Sequence, residues 1–444
     1  MRNTLRAVAL SALIAAHAAH AQAPEGDVAW SILAGLTSEV GPRMPGSEAE
    51  ARARVWAEAR LKALGFSNVT VEPFAIRGYV RGRDEASLTA PFPFKLAVTA
   101  LGYSGTTPEK GIEGEVVYFA TLDALKAAPA GSLIGKIAFI DHAMKRAQDG
   151  SGYGPYGQVR RAGPAIASGK GAIGVVIRSI GTDSHRNPHT GGTTFADGAK
   201  PIPAGAVSNP DADLIARIAR SGKPIRLNLT LTGKTTEGLP SGNVVADLPG
   251  RDPSLPLILV GCHLDSWDLG TGAIDDAAGC AIITAAALNA QASGKALRTI
   301  RVLWAGSEEL GGFGGKAYAA KHAEPHALAM ESDFGAGQVW RVNFTIGDAN
   351  KPLADRIATA LSPMGIVRGS GKANGGTDVE PMIEKQKLAV VDLDQDGTHY
   401  FDLHHTPDDT LDKVDPADLA QNVAAWTEVL KIVANEAGPI AAAP

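Results

Sequence analysis

The pattern of apolar and polar positions changes character three times along the chain. From Val28 to Leu64 apolar residues recur at helical spacing. Gly46-Ser47-Glu48-Ala49-Glu50 opens the second helix of this stretch as a capping box: Ser47 accepts from an early amide, Glu50 reaches back, and Gly65 stops the helix. Between about residues 111 and 236, short apolar runs such as 136–140 and 172–177 are divided by loops rich in Gly and Pro, which predicts a separate strand-rich domain. From Ser241 onward strands alternate with helices. The runs 255–261, 300–305, 327–330 and 387–391 are unbroken apolar segments of the kind a mostly parallel sheet buries on both faces. The expected fold class is therefore α/β, with helices on both sides of that sheet.

Composition supports a folded chain and adds a leader. Apolar residues make up 45% of the 444 and charged residues 20%, without a long run of one sign, which excludes disordered and coiled-coil classes. The length calls for more than one compact unit. At the start, Arg2 and Arg6 precede an apolar run from Ala7 to Ala19 and then Ala21-Gln22-Ala23. A charged start, a short apolar centre and an A-x-A end mark residues 1–23 as a secretory signal, so the protein is expected to be exported, periplasmic or secreted. The apolar run is shorter than the roughly 20 residues that cross a bilayer, and no later run reads as a span. Net charge is −5 with no basic patch, which excludes nucleic acid as a partner. Cys262 and Cys280 are either a disulfide or two small buried residues, and sequence leaves both open.

The chemistry lies at the ends of the predicted parallel strands, where open sheets of this type bind ligands. Acids and histidines follow each: His263-Leu264-Asp265, Glu308-Glu309, Glu331-Ser332-Asp333, and the loop from Asp392 to His405. Two imidazoles and three carboxylates, from His263, Asp275, Glu309, Asp333 and His405, suit two Zn2+ ions that share one bridging carboxylate. Asp275, at a turn before a helix, is placed to bridge; His263 and Asp333 would complete one ion, Glu309 and His405 the other. Adjacent residues leaving a strand point in different directions, so Glu308 is free to act as general base on a water shared by the zincs. Asp265 is expected to orient the imidazole or the backbone of the site. Each residue alone is weak evidence; the ordered set is strong.

The segments 261–279, 305–315, 330–335 and 400–410 carry a specific resemblance. They look like the co-catalytic zinc exopeptidases that include bacterial leucyl aminopeptidases and glutamate carboxypeptidase. The likeness extends to Gly41-Pro42-Arg43-Met44-Pro45-Gly46-Ser47, to Asn187-Pro188-His189-Thr190-Gly191-Gly192 and to Gly375-Gly376-Thr377-Asp378. It implies the same five ligands and the same base, a zinc exopeptidase fold assembled from residues 24–110 and 237–444, and a protease-associated domain inserted at 111–236. It also implies a homodimer and hydrolysis of dipeptides and other short peptides. Many relatives have Tyr before the last ligand His, its hydroxyl holding the carbonyl oxygen as charge develops. Here that position is His404, as in one branch of the family, which makes His404 a candidate transition-state donor or a histidine that packs beside the site. Asp378 is a candidate for pairing with a free substrate amine, or for capping its loop.

Three look-alike motifs are set aside. Gly152 to Gly157 spells G-x-G-x-x-G but follows no apolar strand and contains Pro155. Asp392, Asp394 and Asp396 begin like a calcium loop whose twelfth position is Leu403 instead of Glu. His185 and His189 lie in a Gly/Pro-rich loop and are expected to shape it or to line an approach to the site. The competing functions are a broad aminopeptidase using the same residues, a glutaminyl cyclase and a receptor-like binding protein. The last two are disfavoured by retention of all five ligands.

Overall fold

The computed structural model describes residues 27–442, so the expected signal at 1–23 lies outside the described residues. The first of two eight-stranded sheets runs in the order Ser67–Val80, Lys234–Leu248, Ile300–Ala305, Leu257–His263, His326–Glu331, Ala389–Gln395, Val339–Thr345, Val367–Arg368. Its four middle members, from Ile300–Ala305 to Ala389–Gln395, are parallel. Antiparallel neighbours flank them on both sides.

Burial on both faces explains the unbroken apolar runs. Along Leu257–His263, Ile258, Val260 and Cys262 face one core with Ala278–Ala290 and Pro416–Val433. Leu257 and Leu259 face another with Tyr318 and Met382, from the helices Phe313–Lys321 and Glu380–Gln386. The N-terminal helices Val28–Gly35 and Glu48–Ala63 close the first face. Ser47 accepts from the Glu50 amide at 3.1 Å, and Glu50 reaches back to the Gly46 amide, one residue earlier than a standard box. The segment Ala273–Ala290 is long and apolar enough to cross a membrane, contrary to the reading of the sequence, but 83% of it is buried in the fold, as a core helix is.

The second sheet has the order Phe94–Leu96, Asp84–Ala90, Arg226–Leu231, Ile112–Phe119, Ile137–Ile140, Gly174–Arg178, Ala204–Val207, Val98–Ala100. It therefore recruits three strands that precede residue 111, where the strand-rich texture was expected to begin. Those strands are short or only half-buried, and so lack an apolar run to announce them. The long antiparallel pair Ser67–Val80 and Lys234–Leu248 carries the chain out of the first sheet and back.

A charged network ties this pair to the first sheet. His322, after the helix Phe313–Lys321, bonds Glu72 at 3.1 Å and Glu324 at 2.7 Å, and Glu324 also pairs with Arg301. Burial presses the His322 pKa down, but the bonds to Glu72 and Glu324 outweigh it and hold the pKa above 6.5. A raised folded pKa means that the folded state binds more protons, so the contribution is complete below the unfolded value and fades as pH rises through the folded one. His322→Gln is expected to lower the urea midpoint relative to the parent at pH 5 to 6, with the gap narrowing above neutrality.

Candidate metal centre

His263 is the last residue of the central strand, and its position is fixed from three directions. Its amide donates to Asp276 at 3.1 Å, and Nδ1 donates to the Asp265 carbonyl at 3.0 Å. That bond leaves Nε2 as a lone pair, the arrangement typical of metal-ligating imidazoles. Nε2 lies 3.0 Å from Asp275 Oδ1 and 3.4 Å from Asp333 Oδ1. On the far side, His405 repeats the scheme: Nδ1 faces the Thr190 carbonyl at 3.2 Å, and Nε2 lies 2.7 Å from Glu309 Oε2 and 3.2 Å from Asp275 Oδ2. One carboxylate thus presents one oxygen to each histidine.

These separations are a test for a metal. Two donors at 2.0–2.1 Å from one tetrahedral zinc lie about 3.3 Å apart, close to the spacings around His263 and His405. Asp275 Oδ2 and Glu309 Oε1 are buried without an aligned hydrogen-bond donor, which is costly unless a cation meets them. Electrostatics agrees. Burial pushes Glu309 up to about 8 and raises Asp333, Asp276 and Glu308 as well. It also presses on His263 and His405, yet the carboxylates Asp333, Asp275 and Glu309 hold both above the ordinary value. A site that crowds acids and lifts its imidazoles needs positive charge. The residues fit a divalent-metal centre.

Glu308 lines a cavity of about 460 Å³ together with Asp275, Glu309, Asp333, His404 and His405. The Glu308 and Glu309 amides both donate to the Asp265 carboxylate, at 3.1 and 3.2 Å. Asp265 therefore does two things: its carbonyl orients His263 and its carboxylate sets the turn that aims the paired glutamates apart. Burial followed by the Asp333 charge raises the Glu308 pKa.

His404 and Asp378 occupy positions that restrict their expected roles. The His404 ring stacks on His405 at 3.6 Å, with Nε2 3.2 Å from Asp275 Oδ2. Its Nδ1 meets His189 Nε2 at 3.2 Å, and His189 Nδ1 meets the Phe401 carbonyl at 3.3 Å. A carbonyl only accepts, so the neutral chain runs from His404 through His189 to Phe401 and leaves a lone pair on His404 Nε2. His404 can then donate to a substrate oxygen only as an imidazolium, and burial followed by the His405 charge holds its pKa well below 6.5. Asp378 is fully buried with both oxygens lacking a hydrogen-bond partner, and Thr377 takes its place on the cavity wall. Its backbone amide bonds Glu331 at 2.8 Å.

Further residues brace the centre, and their contacts could not be read from the sequence. Arg43 is fully buried and donates to the carbonyls of Leu264 at 2.6 Å, Thr271 at 2.6 Å and Gly272 at 2.9 Å, clamping the loop between His263 and Asp275. Asp409 accepts from the Ala273 and Ile274 amides, each at 2.7 Å. Cys262 and Cys280 form a disulfide that fastens the His263 strand to the helix after Asp275. From the second sheet come His189, Thr190 and Arg160, whose Nη1 lies 3.4 Å from His405 Nδ1. Gly191 permits this: a Cβ there would stand 1.8 Å from Arg160 Nη1, at a φ of +128°. The look-alike motifs are spent structurally. Residues 153–157 begin the helix Tyr153–Gly169, and Asp392 caps the Asn374 and Gly375 amides.

An α/β sheet whose strand ends gather two imidazoles and three carboxylates about one cavity defines the class of metal-dependent hydrolases. A model of peptidase family M28 matches residues 243–430. Carboxypeptidase Q of Bos taurus is 33% identical over 408 residues, covering 91% of this chain and 84% of that protein. The Homo sapiens protein of the same name is 32% identical over the same shares. The chain belongs to peptidase family M28 and is a zinc metallopeptidase of the exopeptidase type. A crystal structure of a Peptidase M28 precursor from Shewanella amazonensis SB2B superposes with a TM-score of 0.91 at 44% identity, covering 94% of this chain and 96% of that one. BSAP, a zinc aminopeptidase from Bacillus subtilis, shares the fold at TM-score 0.64 and 20% identity, covering 92% and 95%.

Arg43→Met removes three buried donors and strands their carbonyls. It is expected to cost at least about 3 kcal/mol, read as a lowered denaturant midpoint of the purified protein.

Proposed function

We propose that this enzyme removes terminal residues from dipeptides and other short peptides using two Zn2+ ions. His263 and Asp333 would hold one, Glu309 and His405 the other, with Asp275 shared. The observation that carries this reading is the two-sided exposure of Asp275: Oδ1 is 3.0 Å from the His263 ring and Oδ2 is 3.2 Å from that of His405. Zinc, when bound, polarises a scissile carbonyl and lowers the pKa of water.

The chain's own groups supply the rest. Glu308 takes the proton of the attacking water and returns it to the leaving amine nitrogen, a role that a carboxyl with a raised pKa suits. Asp265 is a positioning residue for His263, Glu308 and Glu309. His404 stacks on His405 and keeps the cavity wall in place, since its tautomer chain withholds a donor from the substrate. Asp378 sits behind Thr377, where burial and the neighbouring Glu331 raise its pKa well above the ordinary carboxylate value and keep it off the cavity wall.

The second sheet, with its loop from His185 to Thr194, fits a protease-associated domain inserted in the catalytic chain. Export, cleavage near Ala23 and a homodimer complete the reading. Nucleic acid has no part in it. A broad aminopeptidase is the alternative for the same residues, and peptides blocked at one end or the other separate the two. Neither a glutaminyl cyclase nor a receptor-like protein explains two intact ligand sets.

Glu308→Gln is expected to retain two zincs per chain by elemental analysis while kcat falls by about 10²- to 10⁴-fold. Activity near that of the parent contradicts the assignment of the base. His405→Ala is expected to release one zinc; two retained ions with full turnover would overturn the ligand set.

A further inference from the structure

We propose that Arg161 binds the free C-terminal carboxylate of the substrate and thereby selects short, uncapped peptides. The inference rests on the peptidase reading above and adds the residue that measures the substrate's far end.

The cavity carries charge of both signs. Asp275, Glu308, Glu309 and Asp333 line it, and so do Arg160 and Arg161, from the helix Tyr153–Gly169. The two arginines differ in how they are occupied. Arg160 is buried against the histidine segment, donating to the Thr190 carbonyl and abutting His405, with Nε left without a partner. Arg161 is half-buried, and among the described residues it has no carboxylate within 4.0 Å. Its side chain makes one long bond, from Nη2 to the Gly154 carbonyl at 3.3 Å, and sits 6.0 Å from the centre of the Tyr153 ring. A guanidinium carries five donors, so most of its capacity is unspent by protein groups among the described residues, and the residue lines the cavity.

Three other arginines removed from solvent have strong partners. Arg81 is paired with Asp84 and Asp268, Arg178 with Asp141 and Asp213, and Arg298 spends its donors on three carbonyls. Arg161 has no such carboxylate among the described residues, and it lines the cavity that also holds Glu308 and Asp275. Its backbone is anchored, the carbonyl accepting from the Thr194 amide at 2.9 Å and from Thr193 Oγ1 at 3.2 Å. Gly192, Thr193 and Thr194 line the cavity beside it. Burial lowers the Arg161 pKa, and an incoming anion would relieve that cost.

A peptide carboxylate has one favourable place to go. With zinc in place the acids are neutralised, and the Arg161 fork can accept the carboxylate through two parallel bonds. The volume of about 460 Å³ lies toward the small end of ligand pockets, about 300–1,000 Å³. A carboxylate held at Arg161 while the scissile bond meets Glu308 therefore fixes a short distance between the cleaved bond and the chain end. Amidation of that end, or added residues beyond it, removes the anchor.

The test separates binding from turnover. A dipeptide and its C-terminal carboxamide are titrated by calorimetry into zinc-loaded Glu308→Gln protein, and into the same protein carrying Arg161→Met or Arg161→Lys. The parent is expected to prefer the free acid by roughly 100-fold in Kd. Arg161→Met should collapse that ratio toward one, and Arg161→Lys should restore part of it, since charge survives without the fork. Equal preference for the acid in the Met variant, or no preference in the parent, overturns the assignment. Hydrolysis of the same dipeptide by the unmutated enzyme is scored separately. Its absence would sink the peptidase reading, while the titration still decides the role of Arg161.

Discussion

Repulsion among buried acids governs this molecule. Asp265, Asp275, Asp276, Glu309, Asp378 and Asp409 are all buried near one end of a single sheet, with Glu308 and Asp333 at the cavity wall. Desolvation makes such a cluster unfavourable unless protons, dipoles or cations answer it. The fold answers in layers. Backbone amides are aimed at Asp265, Asp276 and Asp409, and the buried guanidinium of Arg43 stands behind the loop. What these cannot neutralise is left to the space between Asp275 and the two imidazoles. The affinity proposed for divalent cations is thus a property of the whole rim, with the five inward-facing side chains as the proposed contact points.

Rigidity follows from the same constraint. A carboxylate that must face two histidines tolerates little drift, and the loop from His263 to Asp275 is held by Arg43, by Asp409 and by the disulfide. Gly279 lies just beyond, where a Cβ would stand 1.9 Å from the Ser332 carbonyl. The helix therefore packs against the Asp333 strand with no room for a side chain. Glycine is required there by contact between backbones, a more demanding condition than a turn.

The parallel strands were legible because a strand buried on both faces has to be apolar throughout, and the acids and histidines that follow them stand out against that background. His263, Asp275, Glu309, Asp333 and His405 could be picked out on those grounds and do meet in space. Arg43 could not. Its clamp joins positions 221 to 229 residues apart, and nothing in the periodicity of the N-terminal segment distinguishes it from a surface arginine. The same holds for Arg160 and His189, whose contacts with the His404-His405 pair span 245 and 215 residues. The start of the second sheet was hidden for a different reason: Asp84–Ala90 mixes exposed and buried positions, and two of its companions are three residues long. The roles of His404 and Asp378 depended on which atom carries a proton and which side chain reaches the wall, and neither is encoded in residue type.

The loop carrying His189, Thr190 and Gly191 gives the second sheet a different status from a decoration. It forms the back of the imidazole pair, supplying the carbonyl that His405 faces and the ring that His404 bonds. Replacing this sheet by an unrelated module would mean rebuilding the histidine segment it braces. The two parts are bound to change together, as one unit of inheritance rather than two.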